Sequence, residues 1–254
     1  MVNNMKNLIK LYPQPAGERP LSGTYLAQNL REVAAGKETP FVYTNYVVSI
    51  DGRIAVHDPE LDRMTVPNTL ANARDWRLFQ ELGFQADIII CNTGYVQDVA
   101  DGRLNEIMGM DAEPFADLRQ WRLDQGLQPL PDTAIISNSL KVEIAPHLVA
   151  DGRRVIVFTS ADSEPAKREA LEKQGAEVYV VGENGVDGRQ LYDKLTELEY
   201  RAVYNVSGAK ILYIFVAAGV LDRLYVTYAN RIIGGAPFVP LLEGPLLDTP
   251  LDLH

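Results

Sequence analysis

Short apolar runs rich in β-branched and aromatic residues alternate with amphipathic stretches along most of this chain of 254 residues. The runs FVYTNYVVSI, ADIIIC and RVIVFTS have the length and composition of buried strands, and the stretches between them have helical spacing. Strands that alternate with helices in this way form a parallel sheet with helices packed against it. The pattern therefore predicts an α/β fold with a mostly parallel central sheet flanked by helices.

Composition and charge narrow the class of protein. The chain has 24 basic and 34 acidic side chains, a formal net charge of −10, so no overall field attracts nucleic acid or an anionic membrane surface. The sequence shows neither a signal peptide nor a membrane span, which predicts a cytoplasmic protein. The single cysteine, Cys91, lies in an apolar run, and we expect a buried thiol rather than a nucleophile.

The segment 201–235 joins a strand, a tight turn, a helix of small and apolar residues and a second strand. Ser207 and Gly208 form the turn, and the helix opens at Ala209 with unpaired N–H groups that suit a diphosphate. Lys210 adds a positive charge at the same place. The alternative is that Gly208 only permits close packing of the helix on the strand.

Three landmarks follow one another in the sequence: YVVSIDGRIA at 46–55, ADIIICNTGYV at 86–96, and the block at 206–235 that begins VSGAK and ends IIGG. Together they resemble the reductase domain of the riboflavin biosynthesis enzymes. The resemblance covers roughly residues 41–245 and implies the three-layer dihydrofolate reductase-like fold. It also divides the chain, with a reductase domain at 41–254.

Two further segments are defined by the same comparison. Residues 1–40 are expected to form an N-terminal extension docked on the core, with a helix predicted at about 24–35. A region at about 99–132 is longer than the usual connection in the family and carries an extra helix, which we predict over 112–125. We expect this helix either to cover the substrate cleft or to form an interface.

The resemblance implies an NADPH-dependent reductase of the type 5-amino-6-(5-phosphoribosylamino)uracil reductase. Such an enzyme transfers a hydride to the ribosyl C1′ of an aminouracil ribosyl phosphate, works as a homodimer and needs no metal. Because Val206 stands where the family has a substrate-binding glutamate, two alternatives stay open. One is a reductase of another pyrimidine, a pterin or a small carbonyl compound, and the other is a cofactor-binding homologue that has lost catalysis.

The family's Ser-x-Asp-Gly turn is matched by Ser49, Asp51 and Gly52. The resemblance makes Asp51 and Ser49 the catalytic candidates, with Asp51 orienting the substrate or assisting proton transfer. The alternative is that Asp51 only caps its turn. Gly52, Arg103 and Val206 are the candidate substrate contacts.

The remaining matches concern NADPH. Ser137 and Asn138 fall where the family contacts the adenosine 2′-phosphate, although a run of short polar residues is also an ordinary turn. The other matches are the family's diphosphate turn and its phosphate loop after the second strand, where we predict that the residues NTGYV form a turn. The candidate cofactor contacts are Thr93, Gly94, Tyr95, Ser137, Asn138, Ser207, Gly208, Ala209 and Lys210.

Overall fold

A computed structural model of the chain describes residues 7–103, 108, 115–149 and 152–252. Twelve strands lie in these ranges, and seven of them form the central sheet. The strands are β1 (Leu8–Lys10), β2 (Gly17–Arg19), β3 (Phe41–Ser49), β4 (Arg53–Asp58), β5 (Arg63–Thr65), β6 (Ile88–Cys91), β7 (Asp132–Ile136), β8 (Val155–Thr159), β9 (Glu177–Val180), β10 (Ala202–Asn205), β11 (Arg223–Ala229) and β12 (Phe238–Pro240).

The central sheet has the order β11-β3-β10-β6-β7-β8-β9, and every neighbouring pair is parallel. A small antiparallel sheet of β12, β4 and β5 lies beside it, and β1 pairs with β2. The described helices are α1 (Leu30–Ala35), α2 (Ala73–Gly83), α3 (Thr93–Ala100), α4 (Ala116–Asp124), α5 (Pro165–Lys173), α6 (Gly188–Glu197) and α7 (Ala209–Ala217), with short 3-10 turns at Leu26–Gln28 and Pro146–Leu148.

Helices cover both faces of this sheet, because successive side chains of a strand point to opposite faces. Tyr43 and Tyr204 face a core that also contains apolar side chains of α1 to α5. Their neighbours Val42 and Val203 face a second core, which contains residues of α6 and α7. The predicted α/β fold with a parallel sheet flanked by helices is therefore confirmed.

The N-terminal residues contact α2 through one buried carboxylate. Glu81 is inaccessible to solvent and accepts hydrogen bonds from the N–H groups of Gly23, Tyr25 and Leu26, at 2.6, 2.9 and 3.3 Å. Each N–H that meets a charged acceptor stabilises the contact by about 1.5–3 kcal/mol. The segment before the central sheet is thus fixed to the helix that borders the candidate site.

One prediction about the middle of the chain is wrong, and the role expected of its extra helix stays a prediction. The residues NTGYV do not form a turn, because Asn92 caps a helix there by accepting a hydrogen bond from the N–H of Tyr95 at 2.8 Å, and α3 begins at Thr93. The extra helix, α4, packs into the core through Leu118, and no described residue of α4 lines the cleft presented below. The start of its predicted range, 112–114, lies outside the described residues.

No described helix combines the length and the apolar character needed to cross a bilayer.

Candidate active site

Two helices begin side by side at one edge of the central sheet. Strand β10 pairs with β6, so the carboxyl ends of these parallel strands lie next to each other. Strand β6 leads into α3, and β10 leads into α7. Because a helix start carries unpaired N–H groups and a partial positive charge, this edge is suited to an anion.

The start of α7 is open to a ligand at Gly208. Gly208 is the N-cap residue, and no side chain caps this helix. Its φ of −77° is one that any residue adopts, and a Cβ added to it would meet no atom within 4 Å. The close packing that offered an alternative reason for glycine is therefore absent. Gly208 itself lines the cleft next to the first turn of α7.

Ser207 holds the turn from inside. Its Oγ donates a hydrogen bond to the carbonyl of Ile90 at 3.0 Å, and its N–H donates to Oδ1 of Asn205 at 3.1 Å. The hydroxyl of Tyr46 donates to the carbonyl of Ser207 at 2.7 Å. Ser207 is buried, whereas Nδ2 of Asn205, also buried, has no hydrogen-bond partner among the described residues.

The predicted cofactor residues at the start of α3 have different surroundings. Thr93 and Gly94 occupy the first turn, where backbone N–H groups lack intrahelical acceptors. Tyr95 packs its ring against the core. Across the edge, Lys210 is largely exposed, and its Nζ lies 3.3 Å from a carboxylate oxygen of Glu243. The positive charge of Lys210 is therefore exposed to a ligand, although the nearby carboxylate of Glu243 partly neutralises it.

The predicted cofactor residues Ser137 and Asn138 follow β7, which neighbours β6 on the side away from β10. Ser137 is buried, and its Oγ accepts a hydrogen bond from the N–H of Leu140 at 3.0 Å, which closes a turn. Asn138 is exposed, and its Oδ1 accepts a hydrogen bond from Ser160 Oγ at 3.3 Å. These contacts are those of a stable turn that leaves the amide of Asn138 facing solvent.

A cleft of about 410 Å³ opens beside the start of α7. One wall is aromatic, because Trp76 and Phe79 of α2 stack with ring centroids 5.0 Å apart and an angle of 7° between the rings. Met64 and Val66, at β5, contribute apolar surface. The described polar residues of the lining are Asn45, Asp75, Asn92 and Ser207.

Asp75 is the one charged residue in the described lining of this cleft. Its Oδ1 is shielded from solvent and has no hydrogen-bond partner within the described part of the chain. Burial raises the pKa of Asp75, and the side chain of Thr227 acts in the opposite direction. A ligand with N–H groups would supply the missing donors.

The predicted catalytic turn lies outside this lining. Ser49 Oγ accepts a hydrogen bond from the N–H of Arg53 at 3.0 Å, and Gly52 has a φ of +81° that favours glycine. Asp51 accepts hydrogen bonds from the N–H of Gly234 at 2.9 Å and from Arg53 Nη1 at 2.8 Å. The Ser49 side chain and the Gly234 N–H lower the pKa of Asp51 to about 2. Asp51 is therefore ionised at neutral pH and connects two loops.

The two other predicted substrate residues differ in position. Val206 lines the cleft, at the end of β10. Arg103 does not belong to the described lining, and its guanidinium pairs with Asp98 at 2.8 Å and Asp101 at 2.5 Å. Asp98 is nearly inaccessible and also pairs with Arg63 of β5. Asp98 thus connects α3 to β5, and Arg103 forms a second ion pair with the same carboxylate.

Sequence reasoning did not identify Asn45, Asp75 and Trp76 as site residues. Trp76 has the spacing of an apolar core position on α2, yet 42% of its surface is exposed. Asp75 lies in the first turn of its helix, where acidic residues are common on any helix. The signal that separates them from ordinary helix residues is the cleft itself, which only the packing of α2 against the sheet creates.

Comparison with known proteins gives consistent results. A family model described as the RibD C-terminal domain matches residues 40–253. The chain is 24% identical over 205 residues to a 2,5-diamino-6-ribosylamino-4(3H)-pyrimidinone 5′-phosphate reductase from Archaeoglobus fulgidus, which covers 81% of this chain and 87% of that protein. A reductase of the same name from Methanothermobacter thermautotrophicus is 25% identical over 214 residues, 84% of this chain and 88% of the relative.

Solved structures show the same fold. A pyrimidine reductase-like protein from Corynebacterium diphtheriae superimposes with a TM-score of 0.63 and 20% identity, over 85% of this chain and 84% of that chain. The architecture is the three-layer dihydrofolate reductase-like fold that the resemblance implied.

Proposed function

The chain belongs to the RibD C-terminal domain family, and from this premise we propose that it is an NADPH-dependent reductase of riboflavin biosynthesis. Its proposed substrate is a ribosylaminopyrimidine 5′-phosphate of the kind named for the two reductases it resembles. The observation that carries the proposal is the open start of α7 at Gly208, beside the start of α3 and next to a cleft with an aromatic wall.

The residues present fit a pyridine dinucleotide. The first-turn N–H groups of α3 and α7 would hold the diphosphate, and Asn205, buried below the turn, has an unpartnered amide that adds a donor. Ser207 keeps the turn in place without facing the ligand. Asn138 is the proposed contact for the adenosine end. When bound, NADPH supplies a hydride for the ribosyl C1′, which opens the sugar to a ribityl chain.

The protein's own contribution is placement and exclusion of water. Trp76 and Phe79 offer a flat surface to a heterocycle, and Val206 adds apolar surface to the same cleft. Asp51 is ionised at neutral pH, so we propose that it positions the loop of Ile233 and Gly234 instead of donating a proton. Orientation alone can supply much of the rate enhancement in a hydride transfer.

A second candidate, reduction of an unphosphorylated pyrimidine or pterin, is favoured by one observation. No Lys, Arg or His occurs in the described lining of the cleft, so no cation there neutralises a phosphate. In the first candidate the substrate phosphate would therefore be held outside the described lining. Comparing the ribosylaminopyrimidine 5′-phosphate with its dephosphorylated riboside decides between the two candidates.

The proposed function is tested by incubating the protein with NADPH and the diaminopyrimidinone ribosyl phosphate. We expect consumption of NADPH that depends on the pyrimidine, and a product that has gained two hydrogen atoms by mass spectrometry. A ligand that binds only the folded state raises the melting temperature more, the higher its affinity, so NADPH should give a larger shift than NADH at the same concentration. Absence of both turnover and any thermal shift would contradict the proposal. The cytoplasmic location stays a prediction.

A further inference from the structure

We propose that Asp75 selects the heterocycle of the substrate by accepting hydrogen bonds from an exocyclic amino group and the adjacent ring N–H, so that the enzyme prefers a 2-aminopyrimidinone to the corresponding 2-oxo compound, a uracil. This inference rests on the proposed function, since it defines the substrate class of the same cleft.

The position of Asp75 is the first reason. It lies in the first turn of α2, next to the exposed ring of Trp76, and it belongs to the lining of the cleft. Its Oδ1 is shielded from water and has no hydrogen-bond partner within the described residues. Buried polar atoms in folded proteins are nearly always paired, so an unpaired one in a cleft indicates a donor that arrives with a ligand.

The surroundings of Asp75 give the second reason. Every other described side chain of the lining is neutral, so no cation in the cleft competes for the carboxylate. Asn45, the polar residue contributed by β3, already accepts a hydrogen bond from the hydroxyl of Tyr204. The side chain of Thr227 already hydrogen bonds to Asp75, but Oδ1 has no partner among the described residues, so it retains acceptor capacity for a bound molecule.

The chemistry of the two heterocycles gives the third reason. In the proposed pose a ring lies against the stacked pair of Trp76 and Phe79 and turns its edge to Asp75, which lines the same cleft. The 2-aminopyrimidinone edge carries the 2-amino group and N3–H side by side, and both are donors. A uracil places a carbonyl oxygen at the same corner. Facing a carboxylate, that oxygen adds repulsion where the amino group would add a hydrogen bond.

The substitution Asp75→Asn tests this directly, because it keeps the shape and replaces one acceptor with an NH₂ donor. The measurement is kcat/KM for the 2-amino and the 2-oxo ribosylaminopyrimidine phosphates. We expect the ratio of the two values to fall by about 10-fold or more in the variant, chiefly through KM. Asp193→Asn, the same change on the exposed side of α6, should leave the ratio as it is. An unchanged ratio in Asp75→Asn would overturn the inference.

A binding experiment separates this inference from the proposed reaction. The free bases 2-amino-4(3H)-pyrimidinone and uracil are titrated into the wild-type protein and followed by NMR, which requires neither turnover nor a substituted protein. We expect tighter binding of the 2-amino base, and loss of that preference in Asp75→Asn. Equal affinity of the wild type for both bases would overturn the inference. A preference for the 2-amino base in a protein that reduces neither phosphate would uphold the role of Asp75 and reject the reaction.

Discussion

Gly208 occupies the start of α7 in a backbone conformation open to any residue, with empty space where a side chain would lie. We therefore expect Gly208→Val to change the free energy of unfolding by no more than about 1 kcal/mol. Its methyl groups would stand in front of the N–H groups of Ala209 and Lys210. Loss of hydrogen bonds to a charged diphosphate should weaken NADPH binding by about 10- to 100-fold, as measured by calorimetric titration.

The matched control for this variant is Gly17→Val in β2, where a Cβ also meets no atom within 4 Å. This control should bind NADPH as the wild type does. If Gly208→Val retains wild-type affinity, the diphosphate does not approach the turn at Gly208.

The lowered pKa of Asp51 predicts how the free energy of unfolding depends on pH. Its pKa is lowered to about 2 in the folded protein, whereas an aspartate in an unfolded chain titrates near 3.9. Its contribution to stability is therefore complete above about pH 5 and is lost as the pH falls toward 2. Asp51→Asn should lower the free energy of unfolding more at pH 7 than at pH 3, as measured by urea denaturation. An equal loss at both pH values would show that the charge of Asp51 does not stabilise the fold.

For single residues, the sequence predicts the environment where neighbouring residues in the chain determine it. Cys91 is buried as its apolar run predicts, and the turn through Ser49 and Gly52 follows from the residues that form it. The surroundings of Asp75 depend on distant residues, because the side chain of Thr227 in β11 hydrogen bonds to it and several elements line its cleft. Arg103 is engaged by Asp98 and Asp101, which are close in sequence. Asp98 also pairs with Arg63 of β5, a contact that only the fold creates.

Helices and strands could be predicted where the hydrophobic pattern of the sequence alone determines them. Strands β3, β6 and β8 are apolar runs that are almost wholly buried, and their bounds agree with the predicted runs to within a few residues. The edge strands β9 and β11 are only partly buried. Helix α3 was missed because its start depends on the cap that Asn92 provides, and its sequence GYVQDVA lacks a clear apolar stripe. The predicted first helix, near 24–35, is interrupted at Asn29, whose φ of 47° is left-handed.

Helix α4 offers a test at the scale of one element. Arg122 is buried and donates hydrogen bonds to the carbonyls of Phe84, Ala86 and Gln128, at 2.9, 2.6 and 2.6 Å. Arg122→Met leaves these acceptors unpaired and should lower the free energy of unfolding by about 2–3 kcal/mol. Because no described residue of α4 lines the cleft, NADPH affinity should not change.

Urea denaturation and NADPH titration of this variant are compared with Gln120→Met, a change on the exposed side of the same helix. The control should be stable to within about 0.5 kcal/mol of the wild type. A loss of NADPH affinity in Arg122→Met at temperatures where it is folded would show that α4 does contribute to the site.

For the whole molecule, family resemblance predicts a homodimer. Tyr228, Ile232 and Leu246 expose 67%, 78% and 96% of their surface, and apolar residues of this kind are commonly covered in an assembly. We expect sedimentation equilibrium to give twice the mass of one chain, and Ile232→Glu to shift the protein toward the monomer. A wild-type protein that is monomeric at every concentration examined would contradict this prediction.

The fold of the whole molecule could be predicted from the sequence, because the order of the three landmarks indicates the family. The fold of that family then determines which strands are neighbours in the sheet. The cleft could not be predicted, since its walls come from α2, β3, β5 and β10, which are far apart in the chain. Only their packing places Asp75, Trp76 and Val206 around one space. The proposed function therefore requires cofactor and substrate to meet at a single edge of the central sheet.

The most direct test of that claim is an NMR titration of the wild-type protein with NADPH, with the backbone amides assigned. The largest chemical-shift changes are predicted at Thr93 and Gly94 of α3 and at Ala209 and Lys210 of α7, the N–H groups proposed to hold the diphosphate. Binding of NADPH that leaves these four amides unchanged, or no binding at all, would contradict the proposed cofactor site.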